Sequence, residues 1–457
     1  MSPRFAFVLV AFAGHLAAQL PPATTARIDA IARQALADSG APSVSVAVVA
    51  DGRIAYVNAY GKARLPDTAA LPDMRYSIGS VSKQFMAAAI LMLAEEGKLS
   101  LNDKVGRYLP DLTRANEITI RQLLTHTSGY QDYYPLDYVA PFMQKPVTAD
   151  EILKTWAGKA LDFDPGTRWQ YSNTNYVAAG RILERVTGKP LWAFLEARIF
   201  GPLGMTSVID LDKTPLDSSD AAGFTRFGPG PARPANPEAR GWLFAAGELA
   251  MTARDLARWD ISLIDHKLLK PASLDAMMTP VRLANGAPTN YALGVGVSDA
   301  DGHPMLRHGG AVSGFVSLNS VWPDAKAAIV VFANMDGSGA PGSITGQIAP
   351  LLLAETADPE AAQQLAQARR VFAELQEGRI DRALLTSDAD SYFTPQVLSD
   401  AAQSLGPLGG PETFRQTSTG LRGGMTYRNF QIGFKGRSLR LSTFTAADGK
   451  LAQYLIQ

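Results

Sequence analysis

Tyr76-Ser77-Ile78-Gly79-Ser80-Val81-Ser82-Lys83-Gln84-Phe85 holds the only Ser-x-x-Lys in the chain, and the stretch after it, Phe85 to Leu93, reads as an amphipathic helix. On a helix, residues i and i+3 share a face, so the Lys83 amine stands beside the Ser80 hydroxyl. A serine hydroxyl is a poor nucleophile at neutral pH, and an adjacent amine desolvated enough to shed its proton can activate it. The helix N-terminus adds backbone N–H groups where charge builds on an attacked carbonyl. The same residues also describe an ordinary helix start with Ser80 as its cap, so the surrounding sequence has to decide.

Working outward, Gly97 closes that helix. Before it lie a helical Thr24 to Asp38 and two apolar runs, Ser43 to Val49 and Ile54 to Ala59, joined by the hairpin signal Asp51-Gly52. Far downstream, Phe315 to Trp322 and Ala327 to Asn334 repeat the pattern around Pro323-Asp324, with Leu306 to His308 as a third strand. Strands at both ends with helices between predict one antiparallel sheet closed by the two ends of a single domain. Phe227 to Pro237 reads as a long irregular insertion, and Tyr130, Tyr133, Tyr134, Tyr138 and Phe142 crowd another loop, either as peripheral packing or as an apolar substrate wall. Residues 354–364 form a polar linker. A helix from Leu365 to Gln376 follows, then strand-like runs at Phe414 to Thr419, Met425 to Phe434, Ser438 to Phe444 and Lys450 to Ile456. Residues 365–457 therefore read as a small α+β accessory domain, whose helix-then-meander pattern resembles the cone-shaped modules of the cystatin-like class.

The chain has 457 residues, 46% of them hydrophobic, enough for one large core and a smaller module. Its 43 basic and 43 acidic residues balance without dense runs of one sign, which disfavours nucleic acid as a partner. Cysteine is absent, so a thiol nucleophile and disulfides are excluded. The five histidines lack metal-site spacing, and neither a metal nor a cofactor is expected. Arg4, the apolar run Phe5 to Phe12 and the small residues to Ala18 have the order of a signal peptide over residues 1–19, placing the mature protein in the periplasm or outside the cell. No later segment reads as a membrane span.

Four further segments settle the reading of Ser80. Glu95-Glu96-Gly97-Lys98-Leu99-Ser100-Leu101 follows the first helix, and Leu123-Leu124-Thr125-His126-Thr127-Ser128-Gly129 comes next. Asp164-Pro165-Gly166-Thr167 then leads to Tyr171-Ser172-Asn173, and His308-Gly309-Gly310 is the only His-x-Gly. In this order they resemble the class C β-lactamase-related branch of the serine β-lactamase and penicillin-binding-protein family, over roughly Thr24 to Leu353. The resemblance implies an α/β sandwich of the β-lactamase/transpeptidase type, an antiparallel sheet flanked by helices plus a helical subdomain, over residues 20–353. It implies Ser80 as the acylated nucleophile and Lys83 as base. Tyr171 would pass a proton to the leaving group, and Asn173 would orient Lys83 and the substrate amide. His308, Gly309 and Gly310 would line the site, and the N–H of Ala311, with that of Ser80, would hold the oxyanion.

No Gly-x-Ser-x-Gly elbow and no Glu-x-x-Leu-Asn occurs, which disfavours an α/β-hydrolase and a class A deacylation glutamate. Thr252-Ala253-Arg254-Asp255 reads as a capping box, and His126 as a residue that holds a loop. A neutral histidine in place of a family lysine weakens carboxylate capture. The expectation is a secreted hydrolase of a small-molecule or peptide substrate, with peptidoglycan-derived peptides among the options. An ester or D-amino-acid peptide is favoured over efficient β-lactam turnover. The competing expectation is a non-hydrolytic penicillin-binding or sensing protein that keeps the fold.

Overall fold

The computed structural model describes residues 20–300, 303–353 and 360–457, so the signal-peptide segment and residues 354–359 of the linker lie outside the described residues. The chain divides into two compact units, one of residues up to Ser298 with Pro304–Leu353, the other of Asp299–His303 with Ala354–Gln457.

The first unit is built on a seven-stranded sheet. In chain order its strands are β1 (Ser43–Ala50), β2 (Arg53–Arg64), β3 (Thr68–Ala69), β4 (Gly296–Ala300), β5 (His303–Val312), β6 (Phe315–Trp322) and β7 (Ala327–Ala333), arranged β3-β2-β1-β7-β6-β5-β4. β1 pairs antiparallel with β7, Val44 opposite Ala333 and Val49 opposite Ala328, so the two ends of the unit meet in the sheet centre. The Asp51-Gly52 hairpin has both residues at positive φ, 51° and 72°, the twist-matched geometry of a two-residue turn. All seven residues of β7 are buried, as a strand covered on both faces requires. Helices α1 (Pro22–Ser39) and α5 (Ala340–Leu352) pack on each other and on the sheet, and α4 (Ala253–Ile264) packs on β1, β2 and β7.

Between β3 and β4 the chain forms a mainly helical region around α2 (Ser82–Glu95) and α3 (Asn173–Thr187). α2 is not amphipathic as its sequence implied. Every residue from Ser82 to Leu93 is buried, because its Ala, Met, Ile and Leu run to all sides and the helix forms the centre of the core. The insertion around Phe227–Pro237 is less irregular than expected, since Phe224–Thr225 pairs with Arg233–Pro234. The capping box at Thr252 is half formed. Thr252 Oγ1 accepts the Asp255 N–H at 3.2 Å, but the Asp255 carboxylate takes the N–H and hydroxyl of Ser207 instead.

In the second unit α6 runs Ala361–Gln376, starting four residues earlier than expected because Ala361, Ala362, Gln363 and Gln364 all favour helix. α7 (Pro395–Leu405) follows, then a meander of β8 (Thr413–Arg422), β9 (Met425–Phe434), β10 (Arg437–Thr445) and β11 (Leu451–Ile456) in that spatial order. Ala368, Val371, Phe372 and Leu375 put the buried stripe of α6 into a core with Phe430, Leu441 and Tyr454.

Candidate active site

Ser80 lies in a single 3-10 turn, Gly79–Val81, between the short strand Tyr76–Ser77 and α2. Its hydroxyl caps nothing. The turn is anchored from two sides, by Ile78 N–H donating to Leu249 O at 3.0 Å and by Ser317 Oγ of β6 donating to Ile78 O at 2.7 Å. One helical turn on, Lys83 Nζ reaches Ser80 Oγ at 3.0 Å, Asn173 Oδ1 at 2.8 Å and Ala246 O at 2.7 Å. These use all three N–H bonds of an ammonium. Two of the partners are carbonyl oxygens and can only accept. When Lys83 loses a proton its lone pair must therefore turn to Ser80, the one partner with a hydrogen to give.

Burial pulls the Lys83 ammonium down to about 7, against the opposing pull of the Asp132 and Glu248 carboxyls. Glu248, buried among Asp210 and Asp212, is itself pushed up to about 8. Asn173 opens α3, where its backbone N–H and its Nδ2 donate to Asp132 Oδ1 at 2.9 and 3.1 Å. That carboxylate decides which way the amide faces: nitrogen towards Asp132, oxygen towards Lys83. Asp132 was missed in the sequence. It follows the Leu123–Gly129 motif by three residues but belongs to no local pattern.

Tyr171 sits over Lys83, with Nζ 5.0 Å from the ring centroid. Its hydroxyl is buried and, among the described residues, has the Ser80 hydroxyl beside it without a well-formed hydrogen bond between them. Burial raises its pKa, with the Ser80 hydroxyl pulling weakly the other way, so the phenol keeps its proton at neutral pH. Lys83, not a tyrosinate, is then the group able to take the serine proton.

β5 borders the site with alternate residues. Arg307, Gly309 and Ala311 are exposed, while His308, Gly310 and Val312 are buried. A Cβ on Gly310 would stand 1.9 Å from Ile78 O and 2.4 Å from Ser317 Oγ, whereas one on Gly309 would meet nothing closer than 3.7 Å. Gly310 thus lets the strand close on the Ser80 turn, whereas the space over Gly309 is open. Gly79, at φ 50°, lets Ala311 N approach to 3.0 Å of where a Cβ would be, bringing that amide beside the nucleophile's turn.

His308 is covered by Tyr291, a residue no motif marked. The imidazole Nδ1–H donates to Gly309 O at 2.6 Å, which leaves Nε2 to accept the Tyr291 hydroxyl at 2.8 Å. Burial, with the nearby Lys83 charge, lowers its pKa to about 4, so it is neutral. His308, Gly309 and Gly310 line a cleft of about 1410 Å³ that also takes in Ser80, Asp132, Tyr171, Asn173, Arg307 and the exposed Tyr138 and Phe227. Tyr138 and Phe227 are 63% and 77% exposed, whereas Tyr130 and Tyr133 are core. The crowded tyrosine loop is therefore packing at its base and cleft rim at its tip.

The β-lactamase family model matches residues 28–351. The chain belongs to the β-lactamase family. The chain is 30% identical over 281 residues to a putative penicillin-binding protein PbpX of Bacillus subtilis, covering 62% of this chain and 67% of that one. It is similar to a D-stereospecific amidohydrolase from Streptomyces, at 27% identity and TM-score 0.61, over 72% of this chain and 99% of that structure. The octameric penicillin-binding protein homologue from Pyrococcus abyssi shares the fold across 95% of this chain and 100% of its own, with TM-score 0.63 and 20% identity. Among the described residues no helix is long and apolar enough to cross a membrane.

Proposed function

We propose that this β-lactamase-family hydrolase cleaves esters and D-amino-acid amides or peptides through an acyl-enzyme on Ser80. The observation that carries this is the three-way grip on Lys83, which leaves Ser80 as the only proton source for a free amine half populated near pH 7. As Ser80 Oγ bonds to the carbonyl carbon, its proton passes to Lys83 Nζ, and the oxyanion forms against the N–H groups of Ser80 and Ala311. When the tetrahedral intermediate collapses, the Tyr171 hydroxyl gives its proton to the departing atom and is refilled from the Lys83 ammonium. Water then repeats the sequence on the acyl-enzyme: its proton passes to Lys83, and Tyr171 returns one to the departing Ser80 Oγ and is refilled from the Lys83 ammonium.

The substrate class rests on the neutral His308. Where a family lysine would fix a carboxylate, this site presents an uncharged imidazole bound to Tyr291, which favours esters and amides over β-lactams. The D-stereospecific amidohydrolase among the relatives supports an amide of D configuration. We assign the chemistry to residues 20–353, with 365–457 as an accessory domain, and from the order of residues 1–19 we infer export.

A fluorophosphonate probe should label Ser80 of the wild type and leave Ser80→Ala unlabelled, and a p-nitrophenyl ester should be turned over. Labelling of Ser80→Ala refutes the nucleophile. Labelling of the wild type without turnover of esters or D-amino-acid amides returns the reading to a non-hydrolytic sensor.

A further inference from the structure

We infer that His126 is a positioning residue that holds Tyr171 in place for proton transfer to the leaving group. This rests on the acyl-enzyme reading above and assigns a task to the Leu123–Gly129 motif, which that reading leaves without one.

The grip is on both sides of the tyrosine. The N–H of Gln170 donates to the His126 carbonyl at 3.0 Å, and the N–H of Ser172 donates to His126 Nδ1 at 3.2 Å. Between these two bonds the Tyr171 ring lies on the imidazole, with centroids 4.2 Å apart and planes inclined by 36°. Backbone and side chain of one histidine thus fix the residue before Tyr171, the residue after it and its ring. To do so His126 adopts φ 57°, a left-handed conformation that a residue with a Cβ rarely takes and that histidine tolerates better than most. The rest of the motif continues the same edge: Gly166 N–H donates to Thr127 O at 2.8 Å and Asp162 N–H to Gly129 O at 2.9 Å.

The ring itself is not placed to react. Its Nδ1 lone pair is occupied by Ser172, its Nε2 makes no direct hydrogen bond, and the residue is fully buried among Tyr171, Tyr176 and Tyr291. Burial and the Lys83 charge hold it neutral. The need for a clamp follows from Tyr171, whose hydroxyl faces only that of Ser80, itself a reacting group, and is oriented by no well-formed hydrogen bond among the described residues.

An amine must be protonated as it leaves, whereas p-nitrophenolate departs without a proton, so loss of Tyr171 positioning should injure amide cleavage selectively. The test compares an amide and a p-nitrophenyl ester of the same D-amino acid. Tyr171→Phe and His126→Ala should each raise the ester-to-amide ratio of kcat/KM by about tenfold or more. The double variant should match Tyr171→Phe alone. His126→Asn, which keeps an acceptor and tolerates the left-handed backbone, should stay within about threefold of the wild-type ratio. Equal losses on both substrates in His126→Ala, or multiplied effects in the double variant, overturn the clamp. If His126→Ala fails to fold, His126→Leu, which keeps bulk but offers neither acceptor nor ring, is read in its place, and an unchanged ratio there overturns it equally. A wild type in which Ser80 is not labelled overturns the acyl-enzyme reading and the clamp with it, whereas labelled Ser80 with an unmoved ratio sinks the clamp alone.

Discussion

Asp132→Asn should move the pH dependence of this enzyme to lower pH, and the structure sets how far. Lys83 Nζ and Asp132 sit on opposite sides of the Asn173 amide, at 2.8 and 3.1 Å, which places the carboxylate within roughly 8 Å of the amine. With an effective dielectric of about 20, a unit charge at that range is worth about 2 kcal/mol, or about 1.5 pKa units. Water in the cleft reduces this to about one unit. The sign follows from which form works. The free amine accepts the Ser80 proton, so kcat/KM should climb as pH rises through about 7, where Lys83 titrates. Asp132 is one of the two carboxyls that favour the ammonium. Removing its charge makes the proton easier to lose and shifts the rising limb to about pH 6. Asparagine keeps an oxygen to accept from Asn173, so the amide remains oriented. The assay is a kcat/KM profile from pH 5 to pH 9 on a p-nitrophenyl ester, with a phosphonate-labelling rate as a check on folding. A limb that stays at pH 7, or moves upward, refutes the electrostatic account of Lys83.

Gly310→Ala should destabilise the protein by about 3 kcal/mol or more and abolish Ser80 labelling, since its Cβ would stand 1.9 Å from Ile78 O. Gly309→Ala should fold with an unchanged melting temperature and show raised KM instead. Thermal denaturation beside steady-state kinetics separates them, and equal melting losses in both refute the division of roles. His308→Lys should raise activity on carboxylate-bearing esters relative to neutral ones by up to about tenfold. A parallel change on both would remove position 308 from the specificity argument. Truncation before Ala361 should leave a soluble protein with Ser80 still labelled and ester turnover within a few-fold of the full chain. Aggregation of the truncated protein would place 365–457 in the catalytic unit.

The order of elements was legible because each carries local punctuation. Asp51-Gly52 fixes a two-residue turn, Pro323-Asp324 separates two strands that form where expected, and the runs at Met425–Phe434 and Ser438–Phe444 alternate with a strand's period. Where the reading failed, a long-range contact overrode a local one. Asp255 sits three residues after Thr252, as a capping box requires, yet its carboxylate is claimed by Ser207, 48 positions earlier. The strand β4 went unseen because Gly296–Ala300 has neither β-branched enrichment nor clean alternation; its place comes from lying beside β5 at the sheet edge.

The same distinction explains which parts of the site the sequence revealed. Ser80 and Lys83 are three apart across the join of the 3-10 turn Gly79–Val81 and α2, so the local helical backbone alone brings them together. Tyr171 and Asn173 share a turn. Asp132, His126 and Tyr291 act on those residues from loops that are distant in sequence, and none of them contributes an atom to the reaction as drawn. Their work is to choose among states the residues of the site could otherwise adopt: the face of the Asn173 amide, the setting of the Tyr171 ring, the setting of the His308 ring. Each choice is made by a hydrogen bond or ring contact whose partner lies 17 to 45 positions away in the chain. A motif can name the groups that make and break bonds, because their mutual spacing is short. It names few of the groups that hold them: His126 falls within the Leu123–Gly129 motif, whereas Asp132 and Tyr291 belong to none and reach their partners only in the folded chain.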